Sequence, residues 1–429
     1  MSENAPPSAV VEPASGPAAP ATSADTARAV TGRDDWRILV TIFWITGMVE
    51  GIGVSQIYAL VPSLLRGMGV AEADRLALVG LASALVFLVG LPIVPLWGVW
   101  ADKLSRKVVI VRSALVATVV FAGIALAREP WQLALSMVLM GFQLGNTGIM
   151  LAGIRDVVPL RRVGTIIAVF GVAGPIGFAV GPVLAGLLID RLDWPITSVF
   201  WLSAAFALGT ALLVWFGSRE VRPEVVPDGS VLHLAFGALR TTLGDPAVRR
   251  IFAIFGLSFL AGQMIRPYLP VLVEGIAGTG PGLASAIGLV VGLGALVGAL
   301  MSPFGGVLGD RIGFRRVLVT ALAGGCLVLL MMTLVGTIPG LAVLSVGLAA
   351  CTATIAAMVF SLLATEVPVE RRSATLNLVY LPLYAAGIIG PALGALVAAS
   401  VGVHGPFLLG SAVFAIGAVA IARRRPSAT

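Results

Sequence analysis

Gly98-Val99-Trp100-Ala101-Asp102-Lys103-Leu104-Ser105-Arg106-Lys107 decides how this chain is organised, because it occurs twice. Its counterpart is Gly306-Val307-Leu308-Gly309-Asp310-Arg311-Ile312-Gly313-Phe314-Arg315-Arg316. Each copy is a short polar, basic junction between two long apolar runs. Three further pairs keep the same offset to within two residues: Pro62 with Pro270, Gly181-Pro182 with Gly390-Pro391, and Arg161-Arg162 with Arg371-Arg372. Landmarks that hold one register across half a chain indicate an internal duplication. The physics of the junction is local. A glycine at position 98 or 306 lets two helix ends approach, and a carboxylate one turn on, Asp102 or Asp310, suits the positive end of a neighbouring helix. The bases beyond, Arg106 and Arg315 among them, suit carboxylates and lipid phosphates. Contacts of that kind form only when this end of the molecule is shut, so the junctions read as a conformational latch.

The surroundings of the junctions place them at a membrane. Of 429 residues, 58% are apolar and 11% charged, under half the charge of an ordinary soluble domain; mean hydropathy is +1.02. The apolar residues gather into twelve runs of membrane-spanning length. Helices are the only open elements that satisfy their own backbone in lipid. The prediction is an all-α membrane protein, which sets aside soluble enzymes, nucleic-acid binders and disordered scaffolds. Residues 1–36 form an Ala/Pro/Ser-rich tail, 37–216 a six-helix unit, 217–249 a linker, 250–422 a second six-helix unit and 423–429 a short tail. Within the linker, Leu232, Phe236, Leu239 and Leu243 recur at helical spacing, predicting an amphipathic surface helix. Of the 28 basic residues, only Arg66, Arg75, Arg128 and Arg191 fall in odd-numbered connections, and Arg266 lies inside the seventh run. The others, Arg112 included, count with the tails and even-numbered connections, so both termini are expected in the cytoplasm. Cys326 and Cys351 lie in apolar runs and make no disulfide framework, and two histidines make no metal site.

The paired junctions resemble the signature between helices two and three, and eight and nine, of the major facilitator superfamily. The resemblance covers about residues 37–422 and implies a twelve-helix fold of two pseudo-symmetric six-helix bundles. Ser105 stands where the family has glycine, and Phe314 where it has a base. In the fifth run, Gly177-xxx-Gly181-Pro182-xx-Ala185-Gly186 resembles the helix-five motif of the drug/proton antiporter branch. Its glycines suit close helix packing and its proline a bend. Antiporters of that branch carry an arginine in helix four, where Met137 stands here.

Two ionisable residues lie at membrane depth. Glu50 is near the middle of the first run, where a charge costs a few kcal/mol and burial disfavours the ionised form; it suits a proton carrier or a site for a cation. Arg266 corresponds by the internal offset to Tyr58, and the eight residues between the two depths amount to about 12 Å of helix. That separation argues against a direct Glu50–Arg266 ion pair, and Arg266 could instead reach the interface along its own stem. Weaker polar candidates share helix faces: Gln143 with Asn146, Gln263 with Arg266, and Tyr380 with Tyr384.

What these features imply is a secondary transporter of alternating access, a proton-coupled exporter of amphipathic small molecules in a bacterial inner membrane. It would act as a monomer, need no cofactor beyond a proton gradient, and contact lipid but no nucleic acid. The alternative is an importer or facilitator of a sugar, organic acid or other metabolite, with Arg266 holding an anionic group. No Gly-xxxx-Gly-Lys-[Ser/Thr] motif occurs, so ATP hydrolysis is not the expected drive.

Overall fold

A computed structural model describes residues 36–220, 229–366, 378 and 380–423. The tail 1–35, Arg371-Arg372, the side chain of Tyr380 and residues 424–429 lie outside the described part. Among the described residues, 12 helical spans are long and apolar enough to cross a membrane. In the first half these are span 1 (Trp36–Gly67), span 2 (Glu72–Lys103), span 3 (Arg106–Leu126), span 4 (Pro130–Val157), span 5 (Leu160–Leu192) and span 6 (Ile196–Gly217). The second half holds span 7 (Phe252–Ala277), span 8 (Leu283–Met301), span 9 (Phe314–Met332), span 10 (Ile338–Val359), span 11 (Leu381–Val401) and span 12 (Gly405–Ala422). A helix at Val231–Gly244 precedes span 7, whose helix starts with Pro246 at its first position.

The packing repeats the sequence duplication. Span 1 packs on spans 5 and 6, span 3 on span 6, and span 2 on span 4. In the other half, span 7 packs on spans 11 and 12, span 9 on span 12, and span 8 on span 10. Glycine explains how these backbones come so close. A Cβ on Gly181 would stand 2.5 Å from the Ile52 carbonyl oxygen of span 1, and one on Gly390 2.9 Å from the Leu260 carbonyl oxygen of span 7. With little hydrophobic drive between helices in lipid, such close packing is what holds a membrane bundle together.

Several spans are broken, which continuous apolar runs did not predict. Span 2 divides at Val89, span 4 at a 3-10 turn over Gly141–Gln143, span 5 at Val172, and span 7 between Ile265 and Leu269. Proline accounts for the break in span 7, where Pro267 and Pro270 remove backbone donors. Gly145 accounts for the one in span 4, with φ +91°. The breaks in spans 4 and 7 fall beside the polar residues Gln143, Asn146 and Arg266.

The two halves meet through span 5 against span 8 and span 2 against span 11. Contacts across the seam gather at the end carrying the odd-numbered connections. There the Tyr268 hydroxyl donates to the Leu76 carbonyl at 3.1 Å, and Ser285 N donates to the Asp190 carboxylate at 2.6 Å. A Cβ on Gly288 would lie 2.7 Å from the Pro182 carbonyl oxygen. At the opposite end, a Cβ on Gly98, Gly164 or Gly306 would meet no atom within 4 Å. Leu160 is 93% exposed there and Phe304 65%. Among the described residues, the halves thus form a wedge, sealed at the odd-loop end and open at the other.

Candidate substrate and proton site

Glu50, half-buried in span 1, accepts a hydrogen bond from Asn146 Nδ2 of span 4. Gln143 also hydrogen-bonds Glu50, and Arg112 of span 3 acts on it electrostatically. The break in span 4 makes this grouping possible, because Gln143 closes the 3-10 turn and Asn146 begins the next helix. The Arg112 guanidinium lies 3.3 Å from the centre of the Trp97 ring, which fixes the cation beside the carboxylate without a salt bridge. Gln143 Oε1, Asn146 Oδ1, Trp97 Nε1 and two Arg112 nitrogens are buried with no hydrogen-bond partner among the described residues. Buried groups of this kind cost about 1–3 kcal/mol each when unsatisfied, so the cluster is primed for a polar guest. Arg112 corrects the sequence reading: it is no loop base but lies inside span 3.

Arg266 occupies the break in span 7 and is exposed. Its guanidinium stands 5.5 Å from the Tyr58 ring of span 1 and 5.4 Å from the Phe178 ring of span 5. It does not run along the bilayer to an interface; it crosses to the other half. Tyr58 and Arg266 are equivalent positions of the duplication, and equivalent residues touch only near the axis that relates the halves. Among the described residues no ion pair joins Glu50 to Arg266.

The two latch copies differ. Arg106 pairs with Asp102 at 3.2 Å and also with Asp156 of span 4. The partner of Asp102 is thus a base four residues on rather than the N-terminus of a neighbouring helix, and a Cβ on Gly98 would meet no atom within 4 Å among the described residues. Ser105, the departure from glycine, caps span 3 by accepting from Val108 N at 3.0 Å, and its hydroxyl donates to Glu220. In the second copy Gly313 keeps φ +93°. Arg315 donates to the terminal carbonyls of span 12, Ile421 at 3.0 Å and Ala422 at 2.8 Å; Asp310 is exposed and Gly306 faces open space.

The helix-five motif splits between two tasks. Gly177 and Gly181 lie against span 1, while Pro182 and Gly186 face span 8 across the seam. Tyr384 of span 11 stacks on Phe87 of span 2, ring centres 5.7 Å apart, also across the seam. Gln263 is buried near Gly390 and is not part of the Glu50 cluster.

The arrangement matches known proteins over nearly all its length. The sequence profile of the Major Facilitator Superfamily matches residues 39–287 and 251–429. The chain belongs to the Major Facilitator Superfamily. It is therefore a multi-pass membrane transporter and no enzyme. Among relatives, it is 28% identical over 390 residues to the multidrug resistance protein MdtG of Citrobacter koseri, covering 90% of this chain and 94% of that one. The corresponding protein of Klebsiella pneumoniae is 27% identical over 402 residues, with 92% and 95% covered. Among solved structures, a bacterial homologue of the human lysosomal transporter Spinster superposes with a TM-score of 0.70 at 15% identity, covering 91% of this chain and 99% of that one. The human organic anion transporter MFSD10 gives 0.65 at 19% identity, with 90% and 99% covered. At such identities these structures speak for the fold alone.

Within this superfamily fold, one charged group had escaped the sequence reading. Glu274 of span 7 pairs with Arg66 at 2.7 Å and with Arg75 at 2.9 Å, and its side chain is 7% exposed. In the sequence Arg66 and Arg75 count only as odd-loop charges, and the seventh apolar run, about 250–273, stops one residue short of Glu274. Together they tie spans 1, 2 and 7 at the sealed end.

Proposed function

We propose that this protein is a proton-coupled exporter of amphipathic small molecules, working by alternating access with both termini in the cytoplasm of a bacterium. The observation that carries the reading is the Glu50 cluster: a carboxylate midway along span 1, held by Asn146 and Gln143 beside Arg112, with further polar atoms unfilled. A carboxylate in such a place can exchange a proton for a guest as the wedge changes sides, because either one neutralises it. The wedge opens at the even-loop end, which the distribution of basic residues assigns to the cytoplasm; an exporter loads its cargo from that side. The names of the MdtG relatives support drug export, and Gly177, Gly181, Pro182 and Gly186 would form the hinge-bearing face. Asp102, Arg106, Asp310 and Arg315 would hold the even-loop end shut in the other state.

The test is drug transport into everted vesicles under an imposed pH gradient. Glu50→Gln keeps shape and hydrogen bonding but carries no proton. It should cut gradient-driven transport at least about tenfold, the loss of one charge-assisted step, while neutral compounds still bind. Gradient-driven transport at the wild-type rate would remove Glu50 from the coupling step.

A further inference from the structure

Arg266 is surrounded in a way that topology alone does not require. The break in span 7 brings its guanidinium to the aromatic faces of Tyr58 and Phe178, residues of two different spans of the opposite half. Its neighbours lead into both seams: Phe178 lies one helical turn before Pro182, which meets Gly288, and Tyr268, two residues after Arg266, meets Gly80. The exposed side chain therefore faces the space between the halves. No carboxylate among the described residues forms an ion pair with it. The short helix Leu269–Ala277 starts three residues later, and its N-terminal end adds positive potential at the same point.

A guanidinium at membrane depth with no carboxylate paired to it among the described residues, open to the space between the halves, marks a substrate or ion pathway. The two rings provide apolar area and cation–π contacts, and the Tyr58 side chain also hydrogen-bonds the guanidinium, which holds it in place, but neither residue neutralises it. From Glu50 to Tyr58 is eight residues of one helix, about 12 Å along its axis, so Arg266 lies deeper than the Glu50 cluster when viewed from the open end. The two charges are separate stations, one for a proton or cation and one for an anion.

We infer that Arg266, with Tyr58 and Phe178, binds the carboxylate or sulfonate head of an aromatic organic anion or zwitterion, whose ring system packs on the same two side chains. The guanidinium offers a planar pair of donors to two oxygens of such a head. This rests on the transporter reading above and narrows its cargo from amphipathic molecules in general to those carrying an acidic group. A zwitterion could place its cationic end at Glu50.

The test uses two probes with the same ring and opposite charge, naphthalene-1-sulfonate and 1-naphthylmethylammonium, titrated calorimetrically against the full chain in nanodiscs. Wild type should bind the sulfonate, and Arg266→Gln should weaken that at least about tenfold while leaving the ammonium probe within about twofold. Arg266→Lys, which keeps a charge but not the fork, should fall between. In the wild-type protein, the sulfonate should also protect Arg266 from phenylglyoxal, read by mass spectrometry of its peptide; this measurement stands even if a variant does not fold. Absence of sulfonate binding to wild type, equal loss of both probes in Arg266→Gln, or unprotected Arg266 would each overturn the assignment. The transport reading is judged separately by the Glu50→Gln vesicles: sulfonate binding at Arg266 without gradient-driven transport sinks that reading and leaves the anion site standing.

Discussion

The two ends of the molecule are built from related sequence and behave differently. At the odd-loop end the halves touch backbone to backbone, and a buried carboxylate, Glu274, holds two arginines between them. At the even-loop end the bases are more numerous, yet no ion pair among the described residues there joins the halves: Arg106 is spent on Asp102 and Asp156, and Arg315 on the carbonyls of span 12. The lesson is that charge alone does not close a seam; closure needs a partner on the other half. Among the described residues, the even-loop end has its glycines facing open space and its paired carboxylates engaged only on their own side, the arrangement that the proposed latch would have when released.

That contrast can be broken most forcefully at Gly288. A leucine there would drive its Cβ to 2.7 Å from the Pro182 carbonyl oxygen, a backbone atom that cannot step aside. Gly288→Leu should lower transport at least about 100-fold, equivalent to roughly 3 kcal/mol against closure; transport near the wild-type rate would show that the odd-loop seam need not seal. Next comes Glu274→Gln, which leaves Arg75, with a side chain 8% exposed, facing no charge. Removing one member of a buried pair costs about 3 kcal/mol at the low end, and less here because the Arg66 side chain is 33% exposed. Cysteine labelling at Gly280 should therefore report a sealed end that opens far more often, and unchanged labelling would reduce the trio to surface decoration.

Smaller effects are expected at the open end. The Asp102 side chain is 40% exposed, so its pair with Arg106 is worth at most about 1 kcal/mol. Asp102→Asn should slow turnover about fivefold with substrate affinity within a few-fold; loss of binding in a folded variant would move Asp102 from the latch to the cargo site. The smallest effect belongs to Gly98→Ala. With nothing within 4 Å of a new Cβ, this conformation should gain up to about 1 kcal/mol from helix propensity, visible as a higher melting temperature. Turnover should fall about twofold, since the shut state needs the room. A lower melting temperature would mean that Gly98 is already in contact.

Much of this contrast was legible in the sequence. Runs of apolar residues, the side bias of Lys and Arg and the repeated Gly98 and Gly306 junctions led to twelve spans in two related halves, because lipid imposes length and backbone rules that any spanning helix must obey. Glu50 and Arg266 stood out for the same reason, as charges where charge is expensive. The grouping around Glu50 was less legible. Arg112 was counted as a loop base because it sits near the start of its run, although its position one turn and more inside pointed inward. Glu274 was missed because apolar runs do not mark their ends sharply. The helix breaks depend on how neighbours pack, and only the one flanked by Pro267 and Pro270 carried a strong local sign. Their shared offset marks Tyr58 and Arg266 as equivalent positions, but that the two meet emerges only once the halves are docked.

The central claim is that the two ends open in turn. It is tested most directly by pulsed electron resonance distances in nanodiscs, with Cys326 and Cys351 replaced and spin labels placed in pairs. One pair, Leu160 with Leu308, flanks the open end, and the other, Arg128 with Thr337, joins equivalent odd-numbered connections of the two halves. As pH or transported drug is varied, a second population should appear in which the Leu160–Leu308 distance shortens while the Arg128–Thr337 distance lengthens. Distances that move together in the same direction, or an open end that never narrows under any condition, would contradict the account.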